Sequence, residues 1–294
     1  MTTAQALSGP DQIRARNRGV GLFTLFVWLA PIVFVAIPIA SFFVFSFFQK
    51  VDNEFVADLS FNNYIRWWSD PIYLRVFWLT LQIAIGVAFL DLLVGYPAAY
   101  LVTRARGSLR GVLLALLVAP LFMSYIIKLY ALRSLLGGNG FLKRMGDAIG
   151  IDLPISALLF NQQAVFFTMV LVYLPFVVLP IYASLINVPQ SLVHASADLG
   201  GRPGQTFWRV IFPLSLPGTA IGGMFVFVLA LGDFVTPQMV GGTRGFTYGK
   251  LVWSQFGLAY EWPFGASMAA PILVVSLAVV GLATWISRRA GVTL

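Results

Sequence analysis

The stretch HASADLGGRPGQTFWRVIFPLSLPG, residues 194–218, decides how the rest of the chain is read. It holds the only histidine of the sequence, an aspartate, two arginines and a run of glycines and prolines, inside almost wholly apolar surroundings. Leu192, Ala195, Ser196 and Leu199 recur at helical spacing and form one small, apolar face. His194 and Asp198, at i and i+4, share another face and are placed to interact. Gly200 and Gly201 stop that helix, because glycine accepts the left-handed conformation at a C-cap. Pro203 delays its resumption, and a second short helix is expected from about Gln205 to Phe212, with Pro213 and Pro217 marking entry into the next apolar block. Such a polar, glycine-hinged pair is either a plain connector or a docking element. The composition around it narrows the choice.

Of 294 residues, 59% are hydrophobic and only 10% charged, with a mean hydropathy of +0.86. Soluble domains carry about 25% charged residues, so a polytopic membrane protein is expected. Six apolar blocks run roughly over 19–48, 76–103, 111–135, 163–188, 214–235 and 263–287. Each reaches the ~20 residues that cross ~30 Å of hydrocarbon, and each is a helix candidate because a helix satisfies its own backbone in lipid. The alternating pattern of a membrane barrel is absent. The first block is too long for the 7–15-residue core of a signal peptide and is read as a retained helix. Residues 1–18 are then a tail, and 19–294 one transmembrane domain.

The charges orient these spans. With the N-terminus inside, the cytoplasmic segments hold Arg14, Arg16, Arg18, Arg104, Arg106, Arg110, Arg202, Arg209, Arg288 and Arg289 against Asp11 and Asp198. Acids and bases balance on the opposite face. The whole excess of +8 is thus cytoplasmic, as the positive-inside rule expects, and is topology rather than nucleic-acid binding. Both termini and the 189–213 loop fall inside. A single histidine and no cysteine build no typical zinc site or catalytic triad. GGTRGFTYGKL at 241–251 fails the phosphate-loop template, since Leu follows Lys250, so no nucleotide-hydrolysing machinery is expected.

A-S-x-D-L-G-G-x-x-x-x-x-F-x-x-V-x-x-P, from Ala195 to Pro213, resembles the loop of binding-protein-dependent ABC importer permeases written E-A-A-x-x-x-G-A-x-x-x-x-x-F-x-x-I-x-L-P. Ala195, Gly200, Phe207 and Pro213 fall on matching positions, Ser196 and Gly201 are small-residue variants, and His194 stands where the family has glutamate. FNNYIRWWSDPIYLRVFWLTL (61–81), VGYPAAYLVTRA (94–105), APLFMSYIIKLYALRSLL (119–136), VYLPFVVLPIYASL (172–185), LGDFVTPQMVGG (231–242) and EWPFGAS (261–267) look like the polyamine (spermidine/putrescine) group of these permeases, its first membrane subunit in particular. The resemblance implies an all-α, six-helix type I importer permease in a bacterial inner membrane. Its implied partners are a second permease subunit, a cytoplasmic ATPase dimer that uses ATP and Mg, and an extracytoplasmic solute-binding protein. This chain binds no cofactor of its own in that reading. The first short helix becomes a coupling helix that docks in a cleft of the ATPase, with Leu192, His194, Ala195, Ser196, Asp198, Leu199, Gly200, Gly201, Arg202 and Phe207 as its residues.

Ionisable groups at membrane depth usually face a bundle interior or a water-filled path. Asp233 is the first candidate for solute contact, against a role at the helix end. Asp91 is either a buried partner of Tyr, Lys128 or backbone groups, or a solute contact. Tyr130, Tyr173, Trp253 and Trp262 offer cation–π contacts or plain packing. Lys128 and Arg133 would repel a polycation unless they pair with acids. Pro175, Pro180 and Pro237 are expected to break helices where a hinge is useful. A short helix is expected around Asn62–Trp68, and a broken segment between Pro237 and Trp262. Alternatives are an autonomous secondary transporter, for which no internal repeat is found, a permease for opines or other solutes, and a membrane enzyme, for which no cluster of acids, bases or metal ligands is present.

Overall fold

The computed structural model describes residues 26–29, 31–138, 140–150 and 159–289. The expected tail over 1–18 and the start of the first block lie outside these. Helix α1 (Phe26–Phe45) leads into a hairpin of β1 (Gln49–Val51) and β2 (Glu54–Val56). The strands pair antiparallel, Gln49 with Val56 and Val51 with Glu54. Asp52 and Asn53 form the two-residue turn with φ of 47° and 70°, the left-handed pair that matches strand twist. The all-α expectation therefore misses this hairpin. Two three-residue strands carry too short an alternation to stand out.

Helix α2 (Asn62–Ser69) is the short helix expected around 62–68. Asn63 donates to the Ser46 and Phe48 carbonyls (2.9 and 2.8 Å), which fastens α2 across the end of α1. Asp70, whose carboxylate accepts from the Ile72 N–H at 2.8 Å, and Pro71 at the first helical position start α3 (Pro71–Arg104). At ~1.5 Å per residue its 34 residues run about 50 Å, more than a bilayer core. Then come α4 (Ser108–Val118), α5 (Tyr125–Leu136), α6 (Phe141–Ala148), α7 (Gln162–Ile186), α8 (Gln190–Asp198), α9 (Pro203–Gly232), α10 (Tyr248–Gly257) and α11 (Trp262–Arg289).

Among the described residues, five helices are long and apolar enough to span a membrane: α1, α3, α7, α9 and α11. The sixth expected span, 111–135, is a bent pair. A tight turn over Ala119–Phe122 and extended Met123 and Ser124 turn α5 by 102° from α4. Pro120, without an N–H and restrictive toward Ala119, breaks the ladder there. The opposite correction applies at Pro175 and Pro180, which lie inside an unbroken α7.

The core is the triangle of α3, α7 and α9, closed on one side by α11. Between helices in lipid, close van der Waals contact takes the place of a hydrophobic driving force, and small residues allow it. Ala84, Ala88, Gly95 and Ala99 supply the buried stripe of α3. Where α9 crosses α7, a Cβ at Gly218 would overlap the Pro180 carbonyl oxygen and lie 2.5 Å from Ser184 Cβ. At the hairpin end, Tyr248 is fully buried against Phe77, donates its hydroxyl to the Met268 carbonyl at 2.9 Å, and donates its N–H to Thr80 Oγ1 at 2.7 Å. The expected broken segment between 237 and 262 is therefore folded back into the bundle. A wide π turn over Pro237–Gly241 precedes it.

Candidate functional site

The 189–213 loop is built by local rules. Helix α8 ends at Leu199, where Gly200 adopts φ +79°. The Gly200 N–H donates to the Ala197 carbonyl and the Gly201 N–H to the Ser196 carbonyl, both at 2.9 Å, the two bonds of a Schellman stop. Arg202 precedes α9, and its N–H donates to Gln205 Oε1 at 3.0 Å, with Pro203 at the first helical position. The expected separate helix over 205–212, ending at Pro213, is absent. Residues 203–232 form one helix with a π turn at Phe207–Ile211, in which the Phe212 N–H reaches back to the Phe207 carbonyl. That wide turn makes room for Pro213, which lacks an N–H and would otherwise collide with the preceding turn.

Ser196 Oγ lies 2.8 Å from Thr206 Oγ1, so α8 is clasped to the first turn of α9. This clasp was not legible in the spacing, which assigned Ser196 only to the small face. Leu199 is 89% exposed at the tip, and Leu192, His194, Ala195 and Asp198 are exposed on α8. Between α8 and α9 lies a notch of about 600 Å³ lined by Leu192, Ala195 and Leu199 together with Arg209 and Pro213. His194 and Asp198 do not bond to each other among the described residues, so the i,i+4 pair is not made. Phe207 faces inward. Its ring meets Tyr96 and Tyr100 of α3 edge-on, at 5.7 Å each, and Tyr96 in turn shares a 2.7 Å hydrogen bond with Ser215. Phe207, at the start of α9, thus joins the loop to the core helix α3 through one aromatic side chain.

The intramembrane carboxylates fall into two different settings. Asp233, 7% exposed, closes the end of α9. Its Oδ1 accepts from the Val235 and Thr236 N–H groups at 2.9 and 3.0 Å, and its Oδ2 from the hydroxyls of Tyr125 (2.7 Å) and Tyr173 (2.8 Å). Tyr125 and Tyr173 stack with rings 7° apart, and Tyr125 Oη is 2.6 Å from Thr236 Oγ1. Asp233 therefore ties α5, α7 and the turn after α9 together. Asp233 and Tyr173, both candidates in the sequence, are brought together here with Tyr125, which was not a candidate because nothing in the spacing brings α5 to α7.

Asp91 is fully buried in the α3 stripe, and neither carboxylate oxygen has a hydrogen-bond partner among the described residues. The expected bond to Tyr, Lys128 or backbone is absent. Lys128 instead lies over the Tyr125 ring (5.7 Å) and Arg133 over Phe160 (5.4 Å), and neither meets an acid among the described residues. Trp253 stacks on Phe234, rings 8° apart at 6.0 Å, next to Asp233 in sequence. Trp262 packs with Phe55, Phe256 and Tyr260 in an aromatic cluster near the hairpin. Tyr130 is exposed on α5 and joins none of these groups. No group of three His, Cys, Asp or Glu residues suited to a metal occurs among the described residues.

Residues 91–292 match the family model described as the binding-protein-dependent transport system inner membrane component. The chain is 32% identical over 263 residues to the spermidine/putrescine transport system permease protein PotB of Salmonella typhimurium, covering 89% of this chain and 90% of the relative. It is 32% identical over 279 residues to the inner membrane ABC transporter permease protein YdcU of Escherichia coli, covering 89% and 88%. A solved bacterial alginate ABC transporter, in complex with a pentasaccharide-bound periplasmic protein, shares the fold with a TM-score of 0.70 at 16% identity, over 95% of this chain and 96% of that one. An autonomous secondary transporter and a membrane enzyme are thereby set aside. The glycine-hinged loop, the apolar helices and the match over most of the chain converge: this chain belongs to the family of inner-membrane components of binding-protein-dependent transport systems.

Proposed function

We propose that the chain is one of two permease subunits of an ATP-driven importer for a small cationic or zwitterionic amine of the polyamine type. The observation that carries the coupling half is the loop geometry. Helix α8 projects an exposed, narrow tip, stops at a left-handed glycine, and is linked through Phe207 to Tyr96 and Tyr100. A tip of that shape suits a groove on a separate ATPase, and movement of the tip reaches α3 and α9 through a stiff aromatic contact. In this reading α8 and both termini face the cytoplasm, in line with the arginine distribution. The hairpin end then meets a soluble receptor. The amine half rests on the identity to permeases described as spermidine/putrescine transporters.

A specific observation keeps a second solute class in play. Lys128 and Arg133 have no carboxylate partner among the described residues, which favours a solute carrying a carboxylate as well as an amine, such as an opine. Two experiments test the proposal. Purification with and without a co-expressed ATPase should give a stable complex with two ATPase copies per pair of permease subunits. Titrating the cognate receptor with putrescine, spermidine, an opine and amino acids should give saturable binding of an amine. A chain that purifies and transports alone would defeat the coupling half, and a receptor that takes only sugars or anions would defeat the amine half.

A further inference from the structure

The turn between α3 and α4 carries three arginines within seven residues, Arg104, Arg106 and Arg110. The positive-inside rule accounts for their presence at this end of the bundle. It does not account for their arrangement. Gly107, at φ +57°, reverses the chain, and the three arginines then border one cavity of about 310 Å³, closed on its far side by the end of α7 and the first turn of α8. We propose that this cavity is a phosphate-binding site, of the kind that takes the headgroup of an anionic phospholipid or free inorganic phosphate.

Three observations carry the assignment. The first is charge. Among the described residues no carboxylate lines the cavity, and their two ion pairs, Arg66–Glu261 and Lys143–Asp147, lie elsewhere. Three guanidinium groups around one space repel one another unless an anion completes the site. The second is orientation. Arg104 donates to the Tyr100 hydroxyl and lies over that ring, and Arg110 Nε donates to the Tyr182 hydroxyl at 2.8 Å with its guanidinium 5.3 Å from the ring centre. The phenols hold the arginine planes in place, while the Arg110 Nη groups and the Arg106 side chain make no hydrogen bond or ion pair among the described residues. A planar guanidinium with free N–H groups matches a phosphate bidentately. The third is depth. The site sits where the spanning helices α3 and α7 end and α4 begins, with Leu185 and Ile186 beside the arginines, and the ends of spanning helices are where lipid headgroups are met. Basic pockets between spans at this level bind such headgroups.

Gln190 and Val193 of α8 also line the cavity, so an occupant there touches the first turns of the proposed coupling helix. The inference rests on the transport reading only for that consequence. Occupancy itself is independent of orientation and of any ATPase.

The test is ligand retention by the purified importer complex, formed in lipid that contains phosphatidylglycerol, cardiolipin and phosphatidylcholine and then washed stringently. Native mass spectrometry reads bound lipid, and radiolabelled inorganic phosphate titrates the same samples. Wild type should keep one anionic phospholipid per chain in preference to phosphatidylcholine. Arg106→Gln, which removes no hydrogen bond or ion pair among the described residues, should weaken retention about fivefold, the equivalent of ~1 kcal/mol per basic residue at an anionic surface. Arg110→Lys keeps the charge but loses the fork, and should also weaken it. Saturable phosphate binding that displaces no lipid and is lost in Arg106→Gln would assign the site to the soluble anion. Retention of neither ligand by wild type, or equal retention by wild type and Arg106→Gln in a correctly assembled complex, overturns the proposal.

Discussion

Replacing Asp233 separates a structural carboxylate from a solute-binding one. Asp233→Ala leaves two backbone N–H groups and two tyrosine hydroxyls of a buried site without their acceptor. A buried donor stranded in this way costs about 1–3 kcal/mol. The phenols can turn toward each other or toward Thr236, so the two N–H groups set the minimum and the expected loss is about 2–6 kcal/mol. Asp233→Asn keeps a carbonyl for the N–H groups and gives up the charge-assisted bonds to the tyrosines, an expected loss of about 1–2 kcal/mol. Tyr173→Phe removes one of the four donors and should cost about 1 kcal/mol. The assay is thermal unfolding of the complex in nanodiscs, followed by uptake kinetics. Melting temperature should fall in the order wild type, Asn, Ala, while KM for the solute in Asp233→Asn stays within about twofold of wild type. A normal melting temperature with a KM raised tenfold or more would refute the reasoning and return Asp233 to the solute path.

Phe207→Ala should remove the ring contacts to Tyr96 and Tyr100 at a cost of about 2 kcal/mol, below the ~3–5 kcal/mol of a fully buried phenylalanine, and should uncouple ATP hydrolysis from uptake; both rates are measured on one preparation. Gly218→Val should prevent the close crossing of α9 over α7 and lower the yield of folded protein, read by size-exclusion chromatography. Ser196→Trp should break the clasp to Thr206 and loosen the loop itself, whereas His194→Glu, at an exposed position with no hydrogen-bond or ion-pair partner among the described residues, should leave stability unchanged by thermal unfolding. Because the sequence holds no cysteine, single cysteines at 53 and 202 report topology directly: an impermeant reagent should label 53 and not 202 in intact cells.

Much of the fold was legible because a lipid solvent leaves few options. Five apolar blocks became long helices, and the glycine pair at 200–201 stopped α8 as its spacing implied. Proline was the least reliable sign. Pro120 broke a span that hydropathy draws as continuous, Pro175 and Pro180 broke nothing, and Pro213 was absorbed by a π turn. The difference lies in neighbours that re-satisfy the freed carbonyls, and these come from tertiary packing. The same limit hid the site. Asp233 is conspicuous in sequence, but its meaning depends on Tyr125 and Tyr173, which lie 108 and 60 positions away. Asp91 is equally conspicuous, and the structure leaves it fully buried with no partner among the described residues.

The central claim is that α8 transmits the state of an ATPase to the spans. Its most direct measurement is ATP hydrolysis by the reconstituted complex, with and without solute-loaded receptor, for wild type, Leu199→Asp and Gly200→Val. Leu199 is almost fully exposed and Gly200 has open space around it, so neither change disturbs packing within the chain. Valine at φ +79° costs about 1–2 kcal/mol and re-aims the tip, and a charge at Leu199 opposes burial in a groove. Both variants should fold and insert normally, and both should lose receptor-stimulated hydrolysis. Full stimulation in both would show that the loop is only a connector.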